Sequence, residues 1–322
     1  MTYLITGGGG FIGSHLAEAF LLRGEHVRIL DNWSTGRRQN LTNLQRFISS
    51  KQLEVWDGDV RDRGVLQRSL SGVRAVLHQA AVASVPRSVA NPLESHEVNC
   101  TGTLNVLLGC REQGVKRVVY AGSCAAYGDT TELPIKEETL PAPLSPYAVS
   151  KLTGEYYCRM FSRIFGLETV ILRYFNVFGP RQDPASEYAA VVPRFISHLV
   201  CGEPPVIYGD GEQSRDFYHV DNVVEGNLLA LEVREARGEV YNIACGEATT
   251  VKEMVRLLGE IMNVQVKPRF EEGRPGDIRH SHADISRARE LLGYRVTVGI
   301  REGLKRTVDY FLREKGREKK SP

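Results

Sequence analysis

Tyr3-Leu-Ile-Thr-Gly-Gly-Gly-Gly-Phe-Ile-Gly-Ser-His-Leu16 decides the fold. A short apolar run ends at Thr6, four glycines follow, and from Phe11 to Arg23 apolar residues recur at helical spacing. Glycine lets such a strand-to-helix turn be tight, lets backbone N–H groups approach a pyrophosphate, and lets helix and strand pack closely. The helix N-terminus adds positive potential for the phosphates. Two registers fit, Gly7-x-x-Gly10-x-x-Gly13 and Gly8-x-Gly10-x-x-Gly13. A plain tight turn would also use glycine; the position between strand and helix is what points to a dinucleotide.

Outward from this turn the same alternation continues. His26 to Leu30, Leu53 to Trp56, Ala75 to His78, Arg117 to Ala121 and Thr169 to Arg173 read as strands. Helical patterns run from Asn91 to Gln113 and from Ser145 to Phe165. Near-continuous apolar strands separated by helices predict a parallel sheet covered on both faces, hence a doubly wound, Rossmann-type α/β fold. After Asn176 Pro and Gly become frequent and the elements shorten, although Val240 to Ala244 reads as a strand returning to the main sheet. Helices are expected at Asp221 to Arg234, Val251 to Met262, Ile285 to Leu292 and Ile300 to Arg313. The expected organisation is a nucleotide-binding domain over residues 1–175, with returning segments near 215–245, and a smaller α/β substrate-binding lobe over 176–322.

The totals suit a globular enzyme. The 322 residues are 42% hydrophobic and 25% charged, with 41 basic and 39 acidic side chains giving a net charge of +2. That balance favours no polyanionic partner, and the basic run from Arg313 to Lys320 reads as a solvated tail rather than a nucleic-acid site. No stretch reaches the roughly 18 apolar residues of a membrane span, and Met1 to Thr6 carries no basic leader of the signal-peptide kind. Six cysteines lie scattered without Cys-x-x-Cys spacing, which argues against a metal site or disulfide framework and for reduced thiols in a cytoplasm. His280 and His282 lack partners at metal spacing.

Asp31 closes the second strand, 18 residues beyond Gly13. A carboxylate there accepts hydrogen bonds from both ribose hydroxyls and repels a 2′-phosphate, so NAD is favoured over NADP, with Arg37 and Arg38 nearby as the opposing signal. Asp59 follows the third strand and could serve the cofactor, cap a helix over Arg61 to Ser69, or do both.

The chemistry points to Ser145-Pro-Tyr147-Ala-Val-Ser-Lys151. Ser145 is a good N-cap and Pro146 suits the first helical position. Tyr147 then falls in the first turn with Lys151 one turn later on the same face. A phenol ionises near pH 10 in water. A close ammonium and the positive end of the helix dipole are expected to lower that value, and a cationic nicotinamide would add to it. Such a phenol can take a proton from a sugar hydroxyl. Ser123, at the carboxyl end of the fifth strand in Ala121-Gly-Ser-Cys-Ala-Ala-Tyr-Gly128, is placed to share that proton. A surface Tyr–Lys pair and a turn-capping serine are the bland readings; the glycine turn upstream weighs against them.

Gly7, Gly10, Gly13, Asp31, Asp59, His78-Gln-Ala-Ala81, Asn99, Ser123, Tyr147-x-x-x-Lys151 and Arg173-Tyr-Phe-Asn-Val-Phe-Gly-Pro180 together resemble the extended short-chain dehydrogenase/reductases. More narrowly, they look like the UDP-hexose 4-epimerases, from Met1 to about Gly293. The resemblance implies that Tyr147 takes the C4 hydroxyl proton while NAD takes the C4 hydride, after which the keto sugar turns over and hydride returns to its other face. It implies cofactor contacts from Phe11, Ile12, Asn32, Ser34, Thr35, Gly36, Val60, Gln79, Ala80, Ala81, Ala83, Asn99, Ala121, Tyr174 and Val177, beside Tyr147 and Lys151. It implies a homodimer paired through the helices over Asn91 to Gln113 and Ser145 to Phe165.

Relatives that eliminate water carry an Asp-Glu pair after the serine, and decarboxylating relatives keep the Glu; here Cys124 and Ala125 stand there and cannot act as acid and base. In the second lobe, Ile207 to His219 resembles the uridine and diphosphate segment, with Val206, Tyr208 and the fork of Arg215 on the nucleotide. Arg274 and Asp277 resemble a second clamp on phosphate and ribose, and the resemblance implies that Asn176 reaches the diphosphate or sugar and that Ala190 and Val191 line the uracil pocket. Ser281 stands where glucose-restricted 4-epimerases carry a bulky aromatic, leaving room for an N-acetyl group. The stretches Ser84-Val-Pro-Arg-Ser88 and Arg181-Gln182-Asp-Pro184 look like the N-acetylhexosamine branch. The preferred expectation is UDP-N-acetylglucosamine/UDP-N-acetylgalactosamine interconversion, with UDP-glucose/UDP-galactose second. A UDP-uronic acid 4-epimerase would need a cation near C6, for which Arg87 is the candidate. A non-catalytic NAD-binding protein would be expected to lack Tyr147 or Lys151.

Overall fold

The computed structural model describes residues 1–184, 190–273 and 278–318. Its first half alternates strand and helix: β1 Thr2–Thr6, α1 Phe11–Leu22, β2 His26–Asp31, α2 Gln45–Ser49, β3 Leu53–Asp57, α3 Arg63–Ser69 and β4 Ala75–His78. There follow α4 Val85–Ala90, α5 Pro92–His96, α6 Gly102–Glu112, β5 Arg117–Ser123, α7 Pro146–Phe165 and β6 Glu168–Tyr174. The second half has β7 Asn176–Phe178, α8 Val191–Cys201, β8 Val206–Tyr208, β9 Ser214–Arg215, β10 Phe217–His219, α9 Val220–Glu232 and β11 Val240–Ile243. It ends with β12 Thr249–Thr250, α10 Val251–Met262, β13 Arg269–Glu271, β14 His280–Ser281 and α11 Ile300–Glu318.

Seven strands form one sheet in the order β11-β6-β5-β4-β1-β2-β3, every neighbouring pair parallel. This is the doubly wound sheet that the apolar runs predicted. The chain lays β2 and β3 to one side of β1 and then returns with β4 on the other, so a topological switch point lies between β1 and β4, where such folds bind ligands. Every residue of β4 and β5 is buried, which is why those strands read as unbroken apolar runs. One face of the sheet packs against α1 and Leu228 of α9; the other packs against α3, α6 and α7.

Two helical expectations change. The single helix read over Asn91 to Gln113 is α5 and α6 joined by a π turn at Glu97–Thr101, which carries Asn99. The helix read over Ile285 to Leu292 is mostly a π turn at Ala288–Leu292. Beyond Asn176, β7 pairs with β10, β9 pairs with β12 and β14, and β8 pairs with β13. A separate apolar cluster joins α8, α10 and α11, including Phe195, Met254 and Leu304. Among the described residues no helix is long and apolar enough to cross a membrane, and no group of three His, Cys, Asp or Glu side chains could hold a metal ion.

Candidate active site

The glycine turn leaves little room at either of its two registers, since a Cβ at Gly8 would lie 2.6 Å from the Ile29 side chain. Gly7 takes φ +67°, and a Cβ there would lie 2.8 Å from the Ala80 nitrogen across the switch point, so only glycine fits. At Gly13 a Cβ would lie 2.2 Å from the Gly7 carbonyl oxygen, which is the close packing of α1 on β1. Gly10 differs. It is the N-cap of α1, and its added Cβ would meet nothing nearer than the Gly7 oxygen at 3.1 Å, so its free face is a cradle open to a phosphate at the helix N-terminus. Phe11 and Ile12 follow on the first turn, partly buried.

At the ribose end, Asp31 is 7% exposed and accepts from the backbone N–H of Gly9 and of Trp33, both at 2.8 Å. Burial raises its pKa, and those two N–H groups oppose the rise. Each carboxylate oxygen retains a lone pair for a ribose hydroxyl. A Cβ on Gly36 would collide with that carboxylate, so the loop carrying Ser34 and Thr35 folds tightly over it. Both nearby arginines are engaged elsewhere. Arg38 pairs with Asp57 at 2.7 Å and stacks 4.2 Å from the Trp33 ring, and Arg37 pairs with Asp183 at 3.1 Å. Asp59 does not cap the following helix, a duty that falls to Asp62. It accepts instead from Arg61 and from Asn32, and the Arg61 guanidinium holds its carboxyl down at about 2.

The catalytic candidates meet at the carboxyl edge of β5. Ser145 caps α7 by accepting from Ala148 N–H at 3.1 Å, and Pro146 opens the helix, as read from the sequence. Tyr147 is thereby held in the first turn, where its phenol lies beside Ser123. Ser123 ends β5, and its Oγ also accepts from Ala125 N–H at 3.2 Å. Lys151 is 5% exposed; its Nζ donates to the Ala121 carbonyl at 2.8 Å and lies 5.2 Å from the Tyr120 ring. One electrostatic expectation is corrected here. In the protein alone Lys151 does not lower the phenol: burial pushes Tyr147 up to about 12, opposed only by the neighbouring Ser123 hydroxyl. Burial also brings Lys151 down to about 8.

The loop after β4 faces this group. Ala80 N–H donates to Thr6 Oγ1 at 3.3 Å, Gln79 Nε2 donates to Tyr174 Oη at 3.3 Å, and Ala81 and Ala83 continue toward Ser84. Ser84 Oγ caps α4, accepting from Arg87 N–H at 3.2 Å. Asn99 is fully buried, with its amide committed to Val82 and Ser150. Val60 packs in the core against Gly102, and Val177 is partly buried in β7.

Among the residues expected to contact substrate, Arg215 in β9 is half-buried; its Nη1 donates to the Ser214 carbonyl at 2.9 Å, and it influences the Cys124 thiol electrostatically. Ser281 in β14 is buried and stands opposite Arg215 in the β9–β14 ladder. Asn176 begins β7, Val206 and Tyr208 bound β8, and Gln182 donates to the Val177 carbonyl at 3.3 Å. Ala190 is the exposed N-cap of α8, and Val191 packs against the second-half cluster. Arg274 and Asp277 lie outside the described residues. Sequence reasoning passed over Asp216, which is fully buried and accepts from the N–H groups of Cys245, Gly246 and Ala283. It ties the end of β11 and the approach from β14 to the strand region bearing Arg215. A lone Asp between Arg215 and Phe217 carries no signal of this.

A doubly wound sheet with this glycine turn and a Tyr-x-x-x-Lys pair facing the switch point is the architecture of the extended short-chain dehydrogenase/reductases. Residues 3–244 match the model of the NAD dependent epimerase/dehydratase family, and the chain belongs to that family. NAD is the family's cofactor, and the open face of Gly10 and the carboxylate of Asp31 fit it. A UDP-glucose 4-epimerase of Mycolicibacterium smegmatis is 35% identical, covering 97% of this chain and 98% of that one. The solved UDP-glucose 4-epimerase of Thermotoga maritima with UDP-glucose is 38% identical with a TM-score of 0.91, covering 98% and 99% of the two chains. A UDP-N-acetylglucosamine 4-epimerase of Methanobrevibacter ruminantium, in complex with UDP-N-acetylmuramic acid, is 39% identical with a TM-score of 0.92, covering 97% and 98%.

Proposed function

We propose that this chain inverts C4 of UDP-N-acetylglucosamine and UDP-N-acetylgalactosamine, with UDP-glucose and UDP-galactose as a second pair of substrates. The observation that carries the reading is the placing of the Tyr147 phenol beside Ser123 at the open end of β5, with no acid or base in the two residues that follow: Cys124 is a half-buried neutral thiol, pushed up to about 12, and Ala125 has no polar side chain. A site so equipped can move one proton on and off a sugar hydroxyl and has no group for eliminating water.

In this reading Gly7 and Gly13 shape the turn, Gly10 offers its open face to the pyrophosphate, and Asp31 holds the adenosine ribose. NAD bound there supplies a reversible two-electron oxidation of C4 and, in its oxidised form, a positive ring charge. Tyr147 holds and returns the hydroxyl proton, Ser123 hydrogen-bonds both the phenol and the sugar oxygen, and Lys151 anchors the helix turn below them. Because burial favours the neutral phenol and Lys151 does not lower it in the protein alone, the positive charge that ionises it must be supplied by the bound cofactor. Arg215 grips the diphosphate, and Ser281 leaves room for the C2 substituent. A C6 carboxylate is poorly served, since Arg87 is already paired with Glu94 at 2.5 Å. Pairing of two chains through the helices over Asn91 to Gln113 and Ser145 to Phe165 is supported by the exposed apolar side chains Leu93, Val149 and Tyr156.

The test is incubation of the purified protein, without added cofactor, with UDP-N-acetylglucosamine and UDP-glucose, reading C4 epimers by NMR. Product from neither sugar rejects the substrate assignment. Tyr147→Phe turning over at the wild-type rate rejects the mechanism.

A further inference from the structure

Tyr147 is the second residue of α7, a position at which a helix offers no acceptor of its own for the backbone N–H. Ser145 caps the N–H of Ala148, not that of Tyr147. The partner comes from another helix: Tyr147 N–H donates to Ser88 Oγ of α4 at 3.0 Å. Ser88 is fully buried, and its hydroxyl donates to the Val85 carbonyl at 2.6 Å, so its proton is committed and a lone pair is left aimed at Tyr147. On the other side of the same residue, Ser150 Oγ donates to the Tyr147 carbonyl at 2.8 Å and accepts from Asn99 Nδ2 at 2.8 Å. Asn99 in turn brackets Val82, accepting from its N–H at 2.8 Å and donating to its carbonyl at 3.2 Å. The backbone of Tyr147 is therefore held from both ends by the segment that runs from β4 through Val82 to α4.

We propose that Ser88 is a positioning residue for Tyr147, a helix cap supplied by a second helix that sets where the phenol stands against the loop after β4. The phenol then moves with the wall of the groove rather than with α7 alone. Asn99 and Ser150 are the opposite half of the clamp. The inference rests on the reading of Tyr147 as the proton carrier.

The experiment measures kcat and KM for UDP-N-acetylglucosamine across pH in the wild type and in Ser88→Ala, Ser150→Ala and Ser69→Ala. Misplacing a reacting group by a fraction of an ångström to an ångström is costly, so Ser88→Ala is expected to lower kcat about tenfold to a hundredfold. KM should stay within about twofold, because the lost contact serves the reaction rather than binding. The limb of the kcat profile set by the phenol should also move to higher pH as the phenol shifts away from the Ser123 hydroxyl that opposes its rise. The other titratable groups around the phenol, Cys124, Tyr120 and Lys151, are left in place by these substitutions. Ser69→Ala removes an equally buried hydroxyl in α3, remote from the site, and should leave kcat and profile at wild type. Ser150→Ala keeps the Tyr147 carbonyl bonded within α7, so it supplies the same readout in a variant expected to fold should Ser88→Ala not do so. A wild-type kcat profile in the folded Ser88→Ala variant overturns the inference. An effect confined to KM does the same, as does a loss shared by Ser69→Ala; if only Ser150→Ala folds, its wild-type profile is decisive. Absence of C4 inversion in the wild type would instead remove the functional reading beneath it.

Discussion

Glu155 of α7 and Arg173 of β6 form a two-pronged ion pair at 2.7 and 3.0 Å, with side-chain exposures of 2% and 3%. The pair fastens the helix bearing Tyr147 and Lys151 to the sheet beneath it. Arg173 also lies 4.5 Å from the Tyr127 ring and donates to the Glu137 carbonyl at 3.3 Å, so its charge is surrounded by partners. Removing one member leaves the other charged and unpaired in the interior. Glu155→Gln is therefore expected to cost about 3–5 kcal/mol, whereas Glu155→Leu combined with Arg173→Met should cost far less, because both desolvation penalties vanish together. Urea denaturation of the three proteins checks this. A double variant no more stable than Glu155→Gln would show that the pair is not the source of the cost.

The glycine turn separates a folding role from a binding role. At Gly13 an alanine Cβ would lie 2.2 Å from the Gly7 oxygen and 2.8 Å from the Gly8 Cα, so backbone must shift. Gly13→Ala is expected to lose about 1–3 kcal/mol of stability, as overpacked sites do. At Gly10 the only crowding is a single contact at 3.1 Å, so Gly10→Ala should fold almost normally while its methyl group occupies the face offered to the pyrophosphate. Gel filtration followed by quantitation of released nicotinamide nucleotide reads the difference. A Gly10→Ala protein carrying a full complement of NAD would place the phosphates elsewhere.

The first half of the fold was legible because its central strands are buried on both faces and so spell continuous apolar runs, as in β4 and β5. Ser145, Pro146 and Tyr147 were legible for a different reason, since caps and first-turn prolines act locally. Helix α8 was not anticipated. Pro193 is its third residue, where the missing N–H has no partner to lose, yet in sequence it reads as a break. The π turn that buries Asn99 leaves no periodic trace because a single inserted residue barely disturbs the apolar pattern. Strands β9, β12 and β14 have two residues each, too few to show alternation. Ser88 escaped a role at Tyr147 because the two are 59 residues apart and meet only when α4 docks on α7. Local grammar located the reacting groups; what holds them in place is tertiary.

Lys151 should make stability depend on alkaline pH. Burial lowers its pKa from 10.5 to about 8, so between those values the unfolded chain binds a proton that the folded chain has released. Stability therefore rises with pH through this window, and below it both states are charged and the burial cost is constant. At about 1.4 kcal/mol per unit the effect is on the order of 3 kcal/mol. Lys151→Met removes the titrating group, so its stability advantage over the wild type should be largest near pH 7 and shrink toward pH 10. Denaturant midpoints of both proteins across pH 7 to 10 measure it, and a difference that stays flat would mean that Lys151 keeps an ordinary pKa.

Ser281 is buried at the end of β14, facing Arg215 across the ladder, and this places a small side chain beside the candidate diphosphate grip. If the sugar lies between that ladder and Tyr147, the volume left at Ser281 decides which C2 substituent fits. An aromatic ring there should exclude an N-acetyl group by overlap while leaving a hydroxyl unaffected. Ser281→Tyr is thus expected to lower kcat/KM for UDP-N-acetylglucosamine about a hundredfold or more, with UDP-glucose changed only a few-fold; discrimination by a clash of this kind can exceed what an added methylene yields in an open pocket. Parallel NMR assays with both sugars, alongside a denaturation curve to exclude a folding defect, give the ratio directly. Equal losses on the two sugars in a stable variant would show that Ser281 supports the lobe without choosing the substrate.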